Sequence, residues 1–127
     1  MLNILSLKII QANTLNNIDV KLDTSTILPH PYGITIHPLA KIGKNVIINQ
    51  HVTIGNRKGL NPGAPTIEDD VHIFANAVIL GNIIIGKGSV IGACALVLDD
   101  VPPYSVVYGI PAKVIRKVEK DELYSNR

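Results

Sequence analysis

Isoleucine or valine returns at every sixth residue along most of this chain, and that period decides what it can fold into. Counted from Ile18, the positions are Ile18, Thr24, His30, Ile36, Ile42, Ile48 and Ile54. One break falls across Gly55 to Thr66, after which the series resumes as Ile67, Ile73, Ile79, Ile85, Ile91 and Val97. Eleven of these thirteen positions are Ile or Val, a regularity that a sandwich of strands with irregular turns does not produce. A second apolar position lies four residues on: Leu22, Leu28, Ile34, Ala40, Val46 and Val52, then Val71, Ala77, Ile83, Ala95 and Val101.

A helix requires a period near 3.6 and a simple strand a period of two. Period six with two inward positions describes a short strand, a corner and another short strand. Three such faces close a coil of about eighteen residues, and the repeats from Ile18 make roughly four coils. Successive coils then satisfy one another's backbone hydrogen bonds. The expected fold is an all-β parallel β-helix forming a single domain. Its parts are an N-terminal segment 1–17, the β-helix 18–102, and a C-terminal segment 103–127 read as a short helix or tail. The break, 55–66, carries Gly59, Pro62, Gly63 and Pro65 and reads as a loop projecting from one corner.

Composition supports this and removes other classes. Hydrophobic residues make up 46% but aromatics only 4%, so the core is built from Ile, Val, Leu and Ala, which suits regular stacking of β-branched side chains. A net charge of +2 is too small to point to nucleic acid. The single cysteine, Cys94, permits no internal disulfide and fits a reducing, cytoplasmic compartment. The opening MLNILSLKII is too short and too poorly flanked for a signal peptide. Asn76 to Leu98 is long and apolar, but Asn82, Lys87 and the period of six argue against a membrane span.

His30 occupies a repeat position where Ile is the rule. A polar ring that breaks a local packing pattern marks a candidate functional site, and imidazole suits general-base chemistry near neutral pH. The competing reading is a corner residue bonded to backbone. His37 reads as a structural corner, His51 as a second-choice base, and His72 as a solvated face residue. Four scattered histidines without tight spacing do not make a metal site. His30, His51 and His72 do stand 21 residues apart, but the loop breaks the coil phase between the last two.

The repeat (I/V)-G-x-x-(V/A)-x, the stretch Leu28-Pro29-His30-Pro31-Tyr32-Gly33-Ile34-Thr35-Ile36-His37-Pro38 and the ending from Val101-Pro102-Pro103 to Gly109-Ile110-Pro111-Ala112-Lys113 resemble the hexapeptide-repeat acyltransferases. Within them the chain looks most like serine acetyltransferase and its shorter, sugar-acetylating relatives. The resemblance covers about residues 15 to 117. It implies a left-handed coil, a homotrimer with sites between neighbouring prisms, and acetyl-CoA as co-substrate. It implies His30 as the catalytic base, with His51 and Tyr32 as acceptor contacts. The pantetheine arm would lie against Gly55, Asn56, Ala75 and Ala93, and Lys113, with Arg116 and Lys117, would meet the phosphates.

Departures from the pattern bear on the acceptor. Serine acetyltransferases carry Asp-His where this chain has Pro29-His30, and Arg-His-Pro where it has Gly63-Ala64-Pro65. They also carry an aspartate about one coil before the histidine; the matching position here, Leu15 to Asn17, holds no acid, although Asp19 and Asp23 are close in sequence. A zwitterionic acceptor needs charged partners, so these departures lead to the expectation of a neutral acceptor, a sugar or polysaccharide precursor. Serine O-acetylation and a non-enzymatic β-helix scaffold are the alternatives.

Overall fold

The computed structural model describes residues 15–122. Residues 1–14, where the opening MLNILSLKII lies, and 123–127 fall outside that range. The described chain winds into a three-faced left-handed parallel β-helix. The first face stacks β1 (Asn17–Ile18), β2 (Thr35–Ile36), β5 (Thr53–Gly55), β8 (Val78–Leu80) and β11 (Leu96–Val97). The second stacks β3 (Lys41–Ile42), β6 (Thr66–Ile67) and β9 (Ile84–Ile85). The third stacks β4 (Ile47–Ile48), β7 (His72–Ile73), β10 (Val90–Ile91) and β12 (Ser105–Gly109), with β13 (Ala112–Lys117) added antiparallel at its end.

The six-residue period becomes vertical columns inside the prism. Ile18, Ile36, Ile54, Ile79 and Val97 stack in register on the first face. Ile48, Ile73, Ile91 and Val107 do so on the third. Almost all are fully buried. At about 25 cal/mol per Å² of apolar surface, each such side chain contributes roughly 1.5–3 kcal/mol. The second apolar position forms a column of its own, in which Ile34, Val52, Ala77 and Ala95 are buried.

Corners are made by residues in left-handed backbone. Leu15, Gly33, His51, Asn76 and Cys94, with φ between 57° and 63°, form one vertical series. Asn45, Asp70, Gly88 and Tyr104 form another. This conformation turns each N–H along the axis toward the coil before: His51 N–H donates to the Tyr32 carbonyl, Asn76 to Gln50 and Cys94 to Ala75. Asn, Asp and Gly adopt it at low cost.

Three expectations are corrected. In the first coil the expected strand around Thr24 is a turn. There Asp23 Oδ1 accepts from Ser25 N–H and Oγ–H at 2.9 and 2.6 Å, which holds the Asp23 carboxyl below its ordinary range. The third-face pairing is then Ile27 with Ile47, two residues short of the hexad count. Leu28, not His30, therefore comes into register with Ile48. Finally, the C-terminal segment expected as helix or tail is the β12–β13 hairpin, which continues the third face beyond residue 102. The expected loop is present between β5 and β6. It is pinned to the next coil, with Asn82 N–H donating to the Asn61 carbonyl at 3.2 Å and Asn61 Nδ2 to the Asn82 carbonyl at 3.1 Å.

Candidate active site

His30 stands in the turn that closes the first coil. Pro31 drives it toward extended backbone, and Pro29 fixes the approach. Tyr32 N–H donates to the His30 carbonyl at 2.8 Å, and the Tyr32 carbonyl accepts from His51 N–H at 2.8 Å. From the coil below, the buried Asn16 reaches up: its Oδ1 accepts from Ile34 N–H at 2.7 Å and its Nδ2 donates to the Pro31 carbonyl at 2.6 Å. The turn is thus clamped from both sides while the His30, Tyr32 and His51 side chains stay exposed. The His51 ring lies over Gly33, where a Cβ would overlap it.

Ala75 and Ala93 continue along the same edge. The Ala75 carbonyl accepts from Cys94 N–H at 3.0 Å, and Ala93 is exposed at the next level. His30, Tyr32, His51, Ala75 and Ala93 therefore share the edge between the third and first faces. Gly55 and Asn56 lie across the first face, at the start of the loop. The Gly55 carbonyl accepts from Gly81 N–H at 3.0 Å, and Asn56 Oδ1 accepts from Gly63 N–H at 3.0 Å, so this amide braces the loop. Between the two groups the half-buried Thr35, Thr53, Val78 and Leu96 line the first face.

The basic residues separate by their bonds. Arg116 holds Glu122 through two contacts of 2.8 and 2.7 Å, and the guanidinium keeps the Glu122 carboxyl down at about 2. Lys117 Nζ donates to the Pro103 carbonyl at 3.4 Å. Among the described residues, Lys113 makes no such bond. It lies opposite Tyr108 on the hairpin, and the Tyr108 ring rests against Gly92, beside Ala93. Of the basic candidates, Lys113 is therefore the one left available near the top of the edge.

The remaining histidines have local roles. His37 Nδ1 accepts from Leu39 N–H at 3.1 Å, the structural corner expected of it. His72 departs from its reading as a solvated residue. Its half-buried ring stacks on Phe74 at 4.0 Å between centroids, and its Nε2 lies 3.3 Å from Asn49 Oδ1. Among the described residues no group of three or more His, Cys, Asp or Glu side chains is placed to hold a metal ion. No carboxylate there bonds the His30 ring, and Asp23 is spent on Ser25. Asn16 was missed by pattern reading. The available signal was an amide one hexad before Leu22, in a column that is otherwise apolar.

Residues 64–99 match the bacterial transferase hexapeptide family (six repeats). Serine acetyltransferase of Bacillus subtilis is 42% identical over 99 residues, which is 74% of this chain and 46% of that protein. The chain resembles the serine acetyltransferases. Among solved structures, Neisseria gonorrhoeae serine acetyltransferase in complex with serine superposes with a TM-score of 0.65 at 44% identity, covering 70% of this chain and 36% of that one. A serine acetyltransferase in complex with CoA superposes with a TM-score of 0.66 at 37% identity, covering 71% and 37%. The chain spans about half the length, or less, of the serine acetyltransferases it matches. Among the described residues no helix is long and apolar enough to cross a membrane.

Proposed function

We propose that this chain is an acetyl-CoA-dependent O-acetyltransferase whose acceptor is L-serine. The observation that carries it is the shared prism edge. An exposed imidazole on a doubly clamped turn stands at one end of a row of small residues, Ala75 and Ala93, along which a pantetheine arm could lie. The similar structures in complex with CoA and with serine support that donor and acceptor. They weigh against the carbohydrate acceptor expected from the sequence.

His30 takes the proton from the acceptor hydroxyl as its oxygen attacks the thioester carbonyl. The C–S bond then breaks, the ester forms, and the imidazolium returns the proton to the departing CoA thiolate. Catalysis of this kind needs no covalent enzyme intermediate; placing both substrates against one edge contributes much of the acceleration. His51 and Tyr32 contact the acceptor, Gly55 and Asn56 bound the donor groove on the loop side, and Lys113 meets a phosphate of CoA. The same reading includes a homotrimer, in which a neighbouring prism covers the exposed edge, and a cytoplasmic location.

A carbohydrate acceptor is the second reading. Pro29 before His30 and Gly63-Ala64-Pro65 in the loop, which place no charge for a zwitterion, favour it. CoA release from acetyl-CoA, measured with L-serine and with a panel of sugars, separates the two. Turnover on serine supports the main reading, turnover on sugars alone replaces it with the second, and no turnover with either leaves a non-enzymatic β-helix scaffold.

A further inference from the structure

Several turns of this helix close in a common way, and the one carrying His30 does not. In these an N–H donates directly back to the carbonyl three residues earlier. Ala77 does so to Phe74 at 3.4 Å, Ala95 to Gly92 at 3.2 Å, Ala40 to His37 at 3.0 Å and Ser89 to Gly86 at 3.2 Å. The equivalent pair in the His30 turn is Ile34 N–H and the Pro31 carbonyl. Here the Asn16 amide is inserted between them, taking the N–H on Oδ1 and giving Nδ2–H to the carbonyl. Asn16 is 6% exposed, and it stands directly below Ile34 in the column continued by Val52, Ala77 and Ala95. A buried amide in an apolar column is costly unless its polar atoms are bonded. Both ends of this amide are spent on one turn.

We propose that Asn16 is the positioning residue for His30: its amide holds the corner turn open between Pro31 and Ile34 and thereby sets where the imidazole stands. The inference rests on the reading of His30 as the general base. It also explains how the ring is oriented when no carboxylate among the described residues bonds it. The restraint acts through the backbone on either side of Pro31, not through the ring nitrogens. Without Asn16 the turn can close directly, as those of Ala77 and Ala95 in the same column do, and His30 moves with it. Displacement of a catalytic group by about an ångström can cost a hundredfold in rate.

Two variants test this. Asn16→Leu fills the column with an apolar side chain of similar size and lets Ile34 N–H bond the Pro31 carbonyl. The expected result is a folded protein with kcat lower by about ten- to a hundredfold and a KM for acetyl-CoA within about twofold of wild type. Asn16→Asp keeps the acceptor for Ile34 and loses the donor to Pro31 while it is ionised. Its activity relative to wild type should recover as pH falls and the protonated carboxyl donates again, a pH dependence that a merely structural side chain would not show. Unchanged kcat in Asn16→Leu, or a pH-independent ratio in Asn16→Asp, overturns the proposal. The ring signals of His30 by NMR decide independently of turnover. A shift in both variants is expected, and signals coincident with wild type overturn the positioning role. If the wild type itself turns over no acceptor, the proposed function fails and the NMR comparison alone decides what Asn16 does.

Discussion

The His51 ring lies over Gly33, the residue one coil earlier on the same corner, so closely that a Cβ on Gly33 would overlap it. Gly33 also has φ of +61°, which an L side chain adopts only at a cost of about 1–2 kcal/mol. Contact and backbone thus select glycine together, three residues from His30. Gly33→Ala should lower unfolding free energy by at least about 1 kcal/mol and displace the His51 ring. Urea unfolding gives the first and the His51 ring signals give the second.

His30→Ala should lower kcat by about a hundred- to ten-thousandfold, the usual contribution of a general base. Because the His30 side chain is exposed and, among the described residues, bonds no other side chain, the thermal midpoint should stay close to wild type. Loss of rate at constant midpoint is the expected pattern. Full activity in the variant would remove His30 from the chemistry.

Ile79 sits within the first-face column, fully buried between Ile54 and Val97. Ile79→Ala should cost about 2–5 kcal/mol, because the stacked coils above and below cannot collapse into the space. Chemical denaturation measures it. The exposed Ile84 on the second face provides the control, where truncation should cost far less.

The Arg116 guanidinium holds the Glu122 carboxyl below its ordinary range. The Glu122 carboxyl falls from an ordinary 4.5 to about 2, mainly through the hydrogen bonds from Arg116, with the Glu119 N–H adding to them. A depressed carboxylate contributes stability above its unfolded value, and that contribution is lost as pH falls through the folded value. The segment after β13 should therefore stay attached between pH 7 and about 4.5, and loosen as the pH approaches about 2. An NMR titration of the Glu122 carboxyl checks it, and Arg116→Gln should return the midpoint toward the ordinary value.

The loop between β5 and β6 should be freed by Asn61→Ala, which removes the side-chain bond to the Asn82 carbonyl and replaces a residue that tolerates φ of 51°. Faster proteolytic cleavage within 56–65, with the β-helix left intact, is the expected outcome.

The period of six was enough to establish the β-helix, its loop and most of its core. Buried columns are set by the inward side chains, which the sequence displays one after another. His30 was legible as a candidate because it broke that period, although the reason was different from the one the pattern suggested. On the third face the first coil is two residues out of phase, so His30 is not a core position at all but part of a turn. The hexad count had no means of detecting that shift, since Thr24 and His30 both fell where an apolar residue was missing. His51, Tyr32, Ala75 and Ala93 could be proposed singly. Their alignment on one edge depends on the stacking of coils through Tyr32, Gln50 and Ala75 carbonyls.

By itself, then, the sequence determined which residues point inward, because side-chain hydrophobicity repeats with the coil. Tertiary structure alone decided what each corner does, because that depends on which carbonyl of the neighbouring coil an N–H reaches. It decided that the C-terminal segment pairs as a hairpin on the third face, since antiparallel pairing from Ser105 to Lys117 leaves no six-residue signature. It also placed Asn16 across the turn of His30, a relationship between residues a coil apart that no local pattern contains.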